Sequence, residues 1–333
     1  MRRRFTLLAI AIAFSATTAG SVAAQGRMHV LIVVGLGGAQ EYRDSFHGEA
    51  SRLYTALIDR HGLSPADVTY LGEKVEVDPE MISGRSTRAN VLQELGEIAQ
   101  RAGPTDRVLV VLIGHGTSAR GEAQFNLPGP DLTPNDFQMG LLAFPTQSVA
   151  LVNTASASGA FVAPLAGPGR IVVAATRTDR ERNATEFGQF FVEAIAGEGA
   201  DLDKDQRISL LEAFVYARSE VERYYEEQNE LLTEHAVLDD NGDGEGSHDA
   251  GLEGPDGKLA ATFHIGGFLG TSAQVPDDPA LARLYEERTE IQGRIDELRV
   301  IREAMSEDDY LDAMEPILVE LALKNREIRE LEG

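Results

Sequence analysis

Cysteine and tryptophan are both absent from the chain. The first absence excludes disulfides, thiolate metal sites and cysteine nucleophiles together. Basic residues are scarce: 30 Lys and Arg stand against 54 Asp and Glu, giving a net charge of −24 over 333 residues. Such a chain repels phosphate backbones, which removes nucleic acid from its expected partners. The same excess suits divalent cations or basic partners. Long apolar runs are lacking too. Residues 5–14 form a short one, insufficient to span a bilayer.

That run follows the basic Met1-Arg2-Arg3-Arg4 and precedes Val22-Ala23-Ala24. Residues 1–24 are therefore expected to be a secretory signal peptide cut after Ala24. No cysteine follows to carry a lipid. Losing three arginines takes the charge from −24 to −27. The expected location is periplasmic or secreted, with no membrane span.

What remains is rich in short β-branched runs. Residues 28–34 (MHVLIVV), 107–113 (RVLVVLI), 148–152 and 170–175 read as buried strands, with 68–71 as a shorter one and 258–265 as a sixth. Amphipathic helices are predicted over 45–61 and 87–101. Strands alternating with helices imply crossover units, hence an α/β fold: a parallel sheet sandwiched between helices on both faces. Loops at the carboxyl ends of such strands carry the ligand site. Gly35 and Gly37 begin a dinucleotide fingerprint, but Gln40 stands where its third glycine belongs.

Two polar motifs fall at strand ends. His115, between Gly114 and Gly116, follows one strand. Asn153-Thr154-Ala155-Ser156-Ala157-Ser158-Gly159 follows the next. The small loop can offer backbone N–H groups to an oxyanion. Equally, Ser156 or Ser158 can cap the helix that follows.

In these motifs the chain resembles the caspase and legumain peptidases, which carry a His-Gly pair after one central strand and an Ala-Cys-x-Ser-Gly motif after the next. Ser156 stands at the place of their cysteine. The resemblance runs over residues 27–269 and implies a caspase-like sandwich. It also implies a His115–Ser156 dyad, with Gly116, Ser158 and Gly159 around the oxyanion. Arg43 and Arg177 would then lie near a first specificity pocket, with Tyr42, Arg180 and Arg182 beside them. A serine hydroxyl, unlike a thiol, needs a base in direct contact. The implied function is a degenerate peptidase that binds polypeptide or scaffolds a partner. The alternatives are an active Ser156–His115 endopeptidase and a calcium-responsive adaptor with a vestigial cleft.

Residues 201–212 match an EF-hand loop: Asp201, Asp203, Asp205, Ser209 and Glu212 supply side-chain oxygens, and Arg207 its carbonyl. Ca²⁺ is the expected cofactor. Gln206 replaces the glycine of the sharp turn. Asp239-x-Asn241-x-Asp243-Gly244 begins a second such loop, but Ala250 stands where its bidentate ligand belongs.

After a linker at 270–279, residues 280–333 change to Leu, Glu and Arg at helical spacing. They are expected to form an α-helical hairpin, with Arg288 and Asn325 at seam positions. The hairpin either packs onto the domain or mediates a helix-based oligomer.

Overall fold

The computed structural model describes residues 26–119, 122–266, 278–300 and 305–332. The expected signal peptide and nearly all of the linker lie outside the described residues. The first strand, β1 (Met28–Val34), is buried along its whole length. Its side chains alternate between two cores: Val30, Ile32 and Val34 face one, Leu31 and Val33 the other. That is the signature of a strand covered on both faces.

Around it lie β2 (Val68–Gly72), β3 (Gly84–Arg85), β4 (Arg107–Ile113), β7 (Ser148–Asn153), β8 (Arg170–Ala174) and β9 (Val237–Asp239). The seven-stranded sheet has the order β3-β2-β1-β4-β7-β8-β9, parallel except for β9. A short antiparallel pair, β5 (Gly116–Ala119) and β6 (Glu122–Phe125), projects from the end of β4.

Helices α1 (Gln40–Asp59), α5 (Phe187–Ala196) and α6 (Leu210–Gln228) cover one face, through Leu53, Leu57, Phe187, Phe191 and Phe214. The other face is covered by α2 (Arg88–Arg101), α3 (Pro134–Leu141) and α4 (Val162–Leu165), through Val91, Leu95, Phe137 and Leu141. Local sequence sets their starts. The Thr87 hydroxyl accepts the Asn90 N–H, and Thr133 with Asp136 and Ser209 with Glu212 form capping boxes. The protein is thus an α/β sandwich, as its strand pattern predicts.

One element differs from expectation. Residues 258–265 are not a strand: Lys258–Thr262 is a helix, α7, started by Gly257 in a left-handed conformation (φ 119°). The last sheet strand is β9, and its antiparallel entry is what the crossover pattern could not anticipate. Helices α8 (Pro279–Val300) and α9 (Glu307–Glu332) pack on each other through Ile291, Ile295, Leu298, Met314 and Leu321. No described helix is long and apolar enough to cross a membrane.

Candidate functional site

The chain runs from β1 outward to β2 and β3, then returns to place β4, β7 and β8 on the other side. The carboxyl ends of β1 and β4 therefore border the crevice where α/β sheets bind ligands. β4 pairs with β7 up to Leu112 opposite Asn153, which brings the two polar motifs side by side.

His115 leaves the end of β4 with its ring half-buried against α1. The rings of Tyr42 and Phe46 meet it edge-on at 4.4 and 5.0 Å. This apolar contact lowers its pKa through burial, favouring the neutral imidazole. Ser156 is nearly buried, at 5% exposure. Its hydroxyl donates to the Gly116 carbonyl at 3.0 Å and accepts the Gly116 N–H at 3.3 Å. Among the described residues, no hydrogen bond joins it to the His115 ring. The two strand-end motifs are thus brought together, but the hydroxyl is engaged by the backbone of Gly116 and not by the imidazole. Gly116 has no room for a side chain, since a Cβ there would stand 2.1 Å from the Ser156 carbonyl oxygen.

Of the three residues expected around an oxyanion, only Gly116 turns its N–H to the Ser156 hydroxyl. Ser158 is fully buried, and its hydroxyl accepts the Thr176 N–H at 3.1 Å. The Gly159 N–H donates to the Thr176 hydroxyl at 3.0 Å. The Ala157 N–H donates to the Glu181 carbonyl at 2.8 Å. These donors are used to satisfy the floor of the loop, because a buried N–H must find a partner where water cannot reach. This corrects the expectation for Ser158 and Gly159.

The two arginines stand apart in role. Arg43 pairs with Glu73 at 3.1 Å and donates to the Gly38 carbonyl. It lines a cleft of about 130 Å³ with Asp44, His47, Tyr70 and Lys74. Arg177 is not among the walls of that cleft; it is exposed, and its N–H donates to the Glu181 carboxylate.

The loop between α5 and α6 gathers Asp201, Asp203 and Asp205 so that one carboxylate oxygen of each lies within 4.8 Å of the others. Asp201 accepts the Gln206 N–H at 3.1 Å, Asp203 that of Asp205 at 3.1 Å, and Asp205 that of Arg207 at 2.8 Å. Lys204 and Gln206 both take left-handed backbone conformations (φ 60° and 65°), so the turn forms without the usual glycine. The Asp201 Oδ1 is buried without a hydrogen-bond partner among the described residues. Burial and the neighbouring Asp205 raise the Asp201 pKa. An oxygen cluster of this kind fits a hard divalent cation.

Two expectations for this loop need correction. Glu212 does not join the three aspartates. Its carboxylate accepts the Leu202 N–H at 2.9 Å and the Ser209 N–H and hydroxyl at 2.8 Å. Burial, with Asp203 nearby, pushes its pKa up to about 7. Backbone donors are better company for it than like-charged carboxylates. Arg207 brings more than its carbonyl, for its side chain is 1% exposed and reaches Asp205 at 3.5 Å. The loop is braced from behind by the segment after α7. There the Ile265 N–H donates to the Ile208 carbonyl at 2.8 Å, and the Leu210 N–H to Phe263 at 2.9 Å.

The second acidic stretch is built alike. Asp239 accepts the N–H groups of Gly242 and Gly244 at 3.0 and 2.6 Å, and both glycines are left-handed (φ 82° and 80°). The place left empty by Ala250 is taken by Asp256. It accepts from the Asp240 and Asn241 N–H groups at 3.1 and 3.3 Å and from the Ser247 hydroxyl. These are the counterparts of the donors that hold Glu212. Loop spacing misses Asp256 because it enters from beyond the twelve-residue window.

Comparison with known proteins finds no matching family model and no matching curated protein. Among solved structures, protein GSU0716 from Geobacter sulfurreducens aligns with 14% identity over 58% of this chain and 89% of its own, with a TM-score of 0.40.

Proposed function

We propose that this chain is an exported, non-hydrolysing relative of the caspase and legumain peptidases that binds polypeptide or scaffolds a partner and holds Ca²⁺ in the loop at 201–212. The observation that carries the reading is the state of Ser156. Its proton is committed to the Gly116 carbonyl, and among the described residues no hydrogen bond joins it to an imidazole. An unassisted hydroxyl does not ionise at neutral pH, whereas a thiol at the same place partly does. The adjacent strand-end motifs on β4 and β7 support a polypeptide cleft of the caspase kind. The three convergent aspartates, and the Asp201 oxygen that has no hydrogen-bond partner among the described residues, support the cation.

The test is chemical labelling. The protein should not react with serine-directed fluorophosphonates, nor cleave peptides bearing Asp, Asn or Arg at the scissile position. Ser156→Cys should gain alkylation by iodoacetamide that is faster with His115 than in the His115→Ala background. Stoichiometric fluorophosphonate labelling that disappears in His115→Ala would instead establish an active serine hydrolase. An inert thiol in Ser156→Cys would remove the resemblance to a peptidase cleft.

A further inference from the structure

The helical hairpin meets the α/β domain at the aspartate loop. Gln292 of α8 is fully buried, and its amide Nε2 donates to Asp205 Oδ2 at 3.0 Å. Its Oε1 has no hydrogen-bond partner among the described residues. Asp205 is itself 1% exposed, and its second oxygen takes the Arg207 N–H. From α9, Asn325 is 3% exposed, with its Oδ1 likewise without a hydrogen-bond partner among the described residues. Asn325 lines a cavity of about 650 Å³ whose other walls include Asp203, Lys204 and Gln206 from the loop, and Met314 and Leu318 from α9. Each helix of the hairpin thus sends a buried amide to the side of the domain where the aspartates converge.

A buried amide with half its hydrogen-bonding capacity unused is costly, because the unsatisfied group has given up water without gaining a partner. An apolar residue would suit the α8 seam better, so the Gln292 contact with Asp205 is the evident use of that side chain. We infer that the hairpin and the aspartate loop form one cation-responsive unit, in which Gln292 is a positioning residue for a divalent cation. The inference rests on the calcium reading of the same loop.

The physical reasoning is linkage. Three carboxylates within 4.8 Å repel one another, and whatever offsets that repulsion stabilises the loop. A cation does so directly. Gln292 does so by holding the outer oxygen of Asp205, which orients the carboxylate for coordination, as outer-shell donors do at metal sites. A cation fixing Asp205 therefore fixes Gln292 and the helix that carries it. By thermodynamic reciprocity, a hairpin that strengthens cation binding is itself held more firmly when the cation is bound. The polar residues of the hairpin seam then have a purpose that an independent coiled coil would not need.

The experiment uses the full chain, stripped with chelator. Calcium chloride is titrated by calorimetry, and amide hydrogen exchange is compared in calcium and in chelator. Calcium should slow exchange in the loop at 201–212 and also in α8 around Gln292. Gln292→Met, of similar volume but without the donor, should weaken calcium binding about tenfold. Protection of the loop with no change in α8 would overturn the coupling, as would wild-type affinity in a folded Gln292→Met. The exchange comparison on the wild-type chain stands whether or not the variant folds. No calcium binding to the wild-type chain would remove the calcium reading itself, and the coupling with it.

Discussion

Ser156 and Gly116 hold each other: the hydroxyl bridges both polar groups of the glycine backbone, and the glycine leaves no space for a Cβ. Gly116→Ala should therefore force β5 away from the Ser156 loop and lower stability by about 1–3 kcal/mol, the range for overpacking a filled site. A urea midpoint equal to wild type would contradict this packing. A second residue sets a pH dependence. Glu234 is 2% exposed and accepts the N–H groups of Glu186 and Phe187 at the start of α5. Burial nevertheless pushes its pKa from 4.5 to about 7. The native state thus keeps a proton that the unfolded chain releases near 4.5. Its contribution to stability is present below that value and is lost as pH rises to about 7, by roughly 3 kcal/mol at most. Glu234→Gln should flatten the decline in stability between pH 5 and 7.5. An unchanged slope would show that Glu234 ionises normally.

At the scale of elements, the aspartate loop joins α5 to α6, and its carboxylates are held by backbone donors and by Arg207. Calcium should raise the melting temperature, since a ligand of the folded state alone adds about 2.7 kcal/mol at a hundredfold excess over Kd. Asp201→Ala should remove most of that gain, since it takes one of the three convergent carboxylates. Glu212→Ala should lower stability in calcium and in chelator alike, because the Leu202 N–H and the capping box at Ser209 lose their acceptor. Identical melting curves for wild type with calcium and with chelator would exclude the site. The strand β9 and helix α7 show what local pattern misses. Residues 258–262 carry apolar residues compatible with either element, and the left-handed Gly257 with the Asp240 side chain on the Gly257 and Ala260 N–H groups selects the helix. None of those contacts is adjacent in sequence.

For the whole molecule, the basic Met1–Arg4, the apolar run at 5–14 and Val22-Ala23-Ala24 carry one expectation of the proposed export: the mature chain begins at or near Gln25. Intact-mass spectrometry of periplasmic or culture material checks it, and a retained Met1 would refute it. The rest divides by the range of the forces involved. Apolar runs, alternation of strands with helices, capping residues and the spacing of Asp201, Asp203 and Asp205 are local. The α/β class, the start of α2 at Thr87 and the acidic loop were therefore readable from the chain alone. So was the coincidence of His115 and Ser156 at neighbouring strand ends. By contrast, α1 begins at Gln40, five residues before the expected start, where Ala39 offers no side-chain cap to mark it. Which partner a buried group takes is decided by packing between segments far apart. That is how Gly116 engages the Ser156 hydroxyl, Thr176 engages Ser158 and Gly159, Asp256 stands in for a ligand missing at Ala250, and Gln292 reaches Asp205. Each buried donor or acceptor must be satisfied by whatever the fold brings within about 3 Å, and that is a property of the tertiary structure alone.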